Sequence, residues 1–158
     1  MLKISSIVLA IAALITFTFL LTSCGKDSKQ SEIDEKLIVD YLTEKNKLQD
    51  AIRTEDGMYY WFITETQGGK PNLWNKVTVH YEGTLLDGTV FDSSRSGNMV
   101  EFTLRNLIEG WQKGLQLMSP GSRAVFVIPS HLGYGSRSTG SIPKNSVLVF
   151  DVELFRIE

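Results

Sequence analysis

The sequence predicts an α+β domain: an antiparallel sheet with one short helix laid against it, preceded by a helical extension. Three observations carry this. Lys76 to Thr84 alternates, with Val77, Val79 and Tyr81 on one face and Thr78, His80 and Glu82 on the other, the period of a half-buried strand. Leu107 to Leu117 drops that rhythm for helical spacing, with Leu107, Ile108, Trp111, Leu115 and Met118 on one side. Val147 to Ile157 then returns to alternation, Leu148, Phe150, Val152 and Leu154 sharing a face. Strands clustered around a single helix are the pattern of α+β architecture.

The chain opens with a short positive start, Met1–Lys3, and an apolar run from Ile4 to Leu21 broken only by Ser5, Ser6, Thr16 and Thr18. It ends at Leu21-Thr22-Ser23-Cys24, which resembles the lipobox of bacterial lipoproteins. The resemblance implies a signal peptide over 1–23 and acylation, palmitate included, of Cys24 as the new N-terminus. The alternative is a retained transmembrane helix, since an apolar run of about 18 residues meets that criterion. Both place the rest of the chain outside the cytoplasm, in the periplasm or at the envelope. Gly25 after the cysteine, where aspartate would favour inner-membrane retention, points to the outer membrane. Cys24 is the one cysteine, so no intramolecular disulfide and no Cys-based metal site can form.

Residues 24–31 continue as a polar stretch without periodicity and read as a lipidated flexible tether. From Glu32 to Arg53 the apolar residues Ile33, Leu37, Ile38, Tyr41, Leu42, Leu48, Ala51 and Ile52 fall at spacings of three and four, one stripe of an amphipathic helix. Ser31 and Asp34 suit its cap. Such a helix packs on the domain or lies exposed; a dimerising coiled coil is the competing reading.

The domain proper is expected over 54–158. Met58 to Thr66 is aromatic and β-branched, Asp87-Gly88 is a turn, Val90-Phe91 and Val100 to Leu104 are short strands, and Arg123 to Ile128 is apolar on both faces, as in a central strand. His80 faces away from Tyr81 and reads as exposed and inert. With 158 residues, 42% hydrophobic and 22% charged, the chain has enough apolar sequence for a core. A net charge of −2 without a basic cluster excludes a nucleic-acid binder.

Six segments together resemble the FKBP family of peptidyl-prolyl cis–trans isomerases: Val79-His80-Tyr81-Glu82-Gly83, Asp87-Gly88 with Val90-Phe91-Asp92-Ser93-Ser94, Ile108-Glu109-Gly110-Trp111, Gly133-Tyr134-Gly135, Ile142-Pro143, and Leu148 to Leu154. They occur in the family's order and near its spacing. The resemblance implies a half-barrel sheet wrapped on the short helix, with an aromatic pocket between them. It implies Tyr81, Asp92 and Tyr134 as catalytic residues, and Phe91, Leu107, Ile108, Trp111, Ile142 and Phe150 as the substrate-binding walls. Trp111 would be the floor and the Ile108 N–H a donor to a ligand carbonyl. Proline-containing polypeptides are the implied partners, with the family's macrolide inhibitors; no cofactor or metal is implied. Read alone, Trp111, Phe91 and Phe150 would pass for core. A binding module of the same fold that grips proline segments without catalysis is the competing function.

Three positions depart from the family pattern. Val100 stands where a pocket phenylalanine is common, Gly97 lies near the usual place of an arginine that pairs with the pocket aspartate, and Ser141 replaces a hydrophobic contact. The layout of signal, helix and single domain is similar to lipoproteins of the Bacteroidetes, gliding-motility-associated isomerases among them.

Overall fold

The computed structural model describes residues 25–158; the expected signal segment and Cys24 lie outside the described residues. Seven strands form one antiparallel sheet: β1 (Ile52–Arg53), β2 (Tyr59–Thr64), β3 (Lys76–Leu85), β4 (Val90–Ser93), β5 (Val100–Thr103), β6 (Arg123–Ile128) and β7 (Leu148–Ile157). Their order is β1-β2-β6-β7-β3-β4, and β5 also pairs with β3. One edge of β3 is therefore shared: Val77 and Val79 face β5, whereas Glu82 to Thr84 face β4. Register shifts within β2–β6, β3–β4 and β3–β7 mark bulges, which bend strands and raise local twist.

Helix α1 (Gly25–Glu44) covers one face of this sheet and the short α2 (Glu109–Leu115) the other. On the inner face Val77, Val79, Ala124, Phe126, Ile128, Leu148, Val152 and Leu154 pack with Trp111, Leu115 and Met118. On the outer face Tyr59, Val125, Val127, Val147 and Val149 are covered by Ile38 and Leu42. Strand β6 is thus apolar in both directions because both of its faces are roofed. The α2 roof sits very close: a Cβ on Gly110 would lie 2.5 Å from Ile128, and one on Gly114 2.7 Å from Phe126.

Helix α1 differs from expectation at both ends. It begins at Gly25, so the stretch expected as a tether is its first turns; no proline interrupts it, and Lys26, Lys29 and Gln30 favour the helix that the seated turns from Glu32 onward continue. The helix expected to reach Arg53 stops at Glu44. Asn46 takes a left-handed φ of 53°, the Asn46 N–H reaches the Thr43 carbonyl, and the Lys47 N–H reaches that of Leu42. That is a Schellman ending, built on Asn in place of Gly. Leu48 and Ala51 still pack on the outer cluster after the chain reverses, which is why the apolar stripe runs on past the stop. Ile52–Arg53 is then a strand paired with Tyr59–Tyr60, so the sheet begins two residues before the boundary expected at 54.

Within the chain α1 lies on the sheet. A carboxylate–guanidinium clamp pins it further, Glu35 accepting from Arg53 Nε at 3.0 Å and Nη2 at 3.1 Å and from the Tyr59 hydroxyl at 2.7 Å. Burial raises the Glu35 pKa, but the bonds from Arg53 and Tyr59 outweigh it and hold the group below its ordinary value. Among the described residues no helix is long and apolar enough to cross a membrane.

Leu42, on α1, is fully buried against the sheet. Leu42→Ala is expected to lower the unfolding free energy by about 2–5 kcal/mol in a single urea transition. A midpoint equal to wild type would mean that α1 contributes nothing to the fold's stability.

Candidate active site

A cleft of about 440 Å³ opens between the inner face of the sheet and α2. Strand β3 contributes Tyr81, β4 Phe91 and Asp92, β5 Phe102, and β7 Phe150; Leu107 and Ile108 lead into α2, which supplies Trp111. The loop after β6 adds Tyr134 and residues 139–142. All the residues expected at the site, catalytic and substrate-binding alike, line this one cavity.

Trp111 is only 4% exposed and forms the floor. Three rings stand edge-on around it: Tyr81 at 5.1 Å and 88°, Phe150 at 5.2 Å and 89°, and Phe102 at 5.9 Å and 85°. Each such pairing adds about 0.5–1.5 kcal/mol beyond area burial, so the indole is fixed from three sides. Phe91 stands edge-on to Phe150 at 5.4 Å and extends the wall. Room for these walls comes from Gly83, where a Cβ would meet Phe91 at 2.5 Å and Phe150 at 2.7 Å.

The polar groups sit at the rim. The Tyr81 hydroxyl donates to Asp92 Oδ2 at 2.6 Å. Burial pushes the Tyr81 phenol well above its ordinary pKa, and the Asp92 carboxylate adds to the rise, so it stays a neutral donor. Asp92 is itself exposed. No arginine or lysine pairs with it among the described residues; Arg95, the nearest in sequence, binds Asp151 at 2.8 Å and approaches Glu153 at 3.8 Å. The Ile108 N–H makes no hydrogen bond among the described residues and is left free beside the Trp111 floor.

The overhanging loop is held by its own backbone. Thr139 and Ile142 exchange bonds at 3.0 and 2.9 Å in a small bridge that buries Ile142, while Ser141 lies exposed along the cleft. Tyr134 is half-buried between Gly133 and Gly135.

Phe102 is the residue that the sequence reading missed. Val100 leaves the usual ring absent, but β5 presents Phe102 two residues on, on the same face, and its ring lines the cleft. The alternation Val100-Glu101-Phe102 carried the signal. His80 also differs from expectation. It is half-buried, edge-on to Phe155 at 5.7 Å, with Nδ1 3.0 Å from the Ser94 hydroxyl that also accepts the Tyr81 N–H.

A bent antiparallel sheet, closed by one short helix and carrying an open aromatic cleft over a tryptophan floor, defines the class of half-barrel α+β domains. The chain belongs to the FKBP-type peptidyl-prolyl cis-trans isomerase family, whose model matches residues 68–155. It is similar to the FkpA isomerase of Aeromonas hydrophila, 45% identical over 135 residues that cover 85% of this chain and 50% of that protein. Outer membrane protein MIP of Legionella longbeachae is 41% identical over 120 residues, 75% of this chain and 52% of that protein. The crystal structure of FkpA from Escherichia coli superposes with a TM-score of 0.73 at 32% identity, covering 96% of this chain and 70% of that one. The chain spans about half the length of these curated relatives.

Adding a methyl at Gly83 crowds both phenylalanine walls. Gly83→Ala is expected to cost about 1–3 kcal/mol of stability, read by thermal melting. An unchanged melt would show that the walls have slack and that the glycine does not shape the cleft.

Proposed function

We propose that this chain is a peptidyl-prolyl cis–trans isomerase that rotates X–Pro bonds in exported or envelope proteins. The observation that carries the reading is the open cleft over Trp111, walled by Tyr81, Phe102 and Phe150. The reaction breaks no covalent bond: it turns a C–N bond of partial double-bond character against a barrier of about 20 kcal/mol. At the perpendicular geometry resonance is lost and the carbonyl is less polar than in the planar amide. A dry, ring-lined cavity disfavours the planar, polar form more than the twisted one, which lowers the barrier by differential binding.

In this reading the proline ring rests on Trp111, with Phe91, Phe102 and Phe150 as walls and Leu107 and Ile142 as rim. The free Ile108 N–H takes a substrate carbonyl, and the half-buried Tyr134 holds the carbonyl of the turning bond. The Tyr81–Asp92 pair keeps the mouth in shape. The family's macrolide inhibitors would enter the same cleft, meeting Ser141 in place of an apolar contact.

The anchor belongs to the same proposal: Cys24 carries the acyl chains and holds the domain at the envelope, on the outer membrane. Support comes from Leu21-Thr22-Ser23-Cys24 and from the relative whose name places it in an outer membrane. More than one acyl chain is needed for stable attachment. The narrower likeness to gliding-motility isomerases rests on the layout of signal, helix and single domain alone.

The purified protein is expected to accelerate cis–trans exchange of a Leu-Pro peptide. Tyr134→Ala should lower turnover about tenfold to a hundredfold, the loss of one contact of ~1–3 kcal/mol, with the melt near wild type. Exchange at the background rate would instead leave a module that binds proline segments without catalysis.

Mass spectrometry of protein extracted from membranes is expected to find acylated Cys24 at the N-terminus. An intact Met1 would replace the lipid anchor with a retained helix.

A further inference from the structure

Asp34 lies on α1, outside the cleft, and is 1% exposed. Its Oδ2 accepts two bonds from one residue, the Ser130 N–H at 2.8 Å and the Ser130 hydroxyl at 2.6 Å. Its Oδ1 accepts the Gln30 amide at 2.7 Å. A carboxylate met by three donors is held tightly, because any donor that leaves strands a buried charge.

Ser130 opens the loop that carries Tyr134. Its carbonyl accepts the Gly133 N–H at 3.0 Å and the Gly135 N–H at 2.8 Å, the residues on either side of that tyrosine. The Gly135 carbonyl in turn accepts the Asn145 N–H at 2.7 Å, closing the base of the overhang. So the backbone flanking Tyr134 is referenced to Ser130, and both polar donors of Ser130 are referenced to Asp34. Ile38, Leu42 and the Glu35–Arg53 clamp fasten α1 at other points as well.

We propose that Asp34 is a positioning residue for Tyr134, setting through Ser130 where the phenol enters the cleft; this rests on the reading of the cleft as an isomerase site. The outer helix then belongs to the catalytic unit, because it fixes a group that touches substrate on the far side of the sheet.

The test uses the whole protein and three measurements: kcat and KM on a Leu-Pro peptide, hydrogen exchange of the amides at 133 and 135, and thermal melting. Asp34→Ala is expected to lower kcat about tenfold with KM little changed, a displacement of a contact made in the twisted state, and to speed exchange at both amides. Asp34→Asn keeps one oxygen for both Ser130 donors and should restore kcat to within about threefold of wild type. Leu48→Ala, which trims the outer cluster beyond the end of α1, should lower the melt and leave kcat and loop exchange alone. Wild-type kcat and exchange in Asp34→Ala would overturn the inference, as would a kcat loss in Leu48→Ala equal to that of Asp34→Ala. Should Asp34→Ala fail to fold, Ser130→Ala decides: faster exchange at Gly133 and Gly135 supports the link, and unchanged exchange overturns it. If the wild-type protein itself is inactive, the isomerase reading fails while the exchange measurements still settle the Asp34 link.

Discussion

Everything functional in this molecule depends on how closely α2 can approach β6. Trp111 is held edge-on by three rings only because its helix lies low on the sheet, and it lies low because Gly110 and Gly114 turn bare backbone toward Ile128 and Phe126. A side chain at either position would lift the helix and with it the indole. The cleft is therefore set by backbone proximity first and by aromatic contacts second. Gly83 applies the same device on β3, where the absence of a side chain lets Phe91 and Phe150 lean together.

The layer on the other side follows from β6 being apolar both ways. Val125 and Val127 point away from the cleft and must be covered, and Ile38 and Leu42 cover them. This gives one sheet between two helices. The arrangement puts α1 within hydrogen-bonding reach of the loop that leaves β6, so the layer that protects the outer face also touches the segment bearing Tyr134.

The strands and α2 were legible because their periods are clean: Val77, Val79 and Tyr81 alternate, and β6 has no polar side to confuse its central position. The cleft residues were legible for a different reason. Short fragments around Tyr81, Asp92, Trp111, Tyr134 and Phe150 sit in a recognisable order, although each ring alone looks like core. The ends of α1 were not legible. Apolar spacing persists from Ile33 to Ile52, but Asn46 reverses the chain through a left-handed residue, and nothing in the spacing reports that reversal. The start failed for the opposite reason, since a polar segment free of proline can extend a helix whose next turns are seated on the sheet. Phe102 was not legible because Val100, its neighbour on the same face, holds the position where a pocket ring is common. The Asp34–Ser130 contact joins residues 96 positions apart and has no local signature at all.

The two-sided roofing of β6 also bears on how the protein can be handled in pieces. The family's characteristic region starts at residue 68, after α1, β1 and β2 have passed. A fragment trimmed to that region would keep most of the residues around the cleft yet present Val125, Val127 and Val149 to solvent as a flat oily strip, with β6 exposed as an unpaired edge. Such surfaces recruit one another into aggregates. A piece of this chain that keeps β6 covered and paired must reach back through β2 and α1.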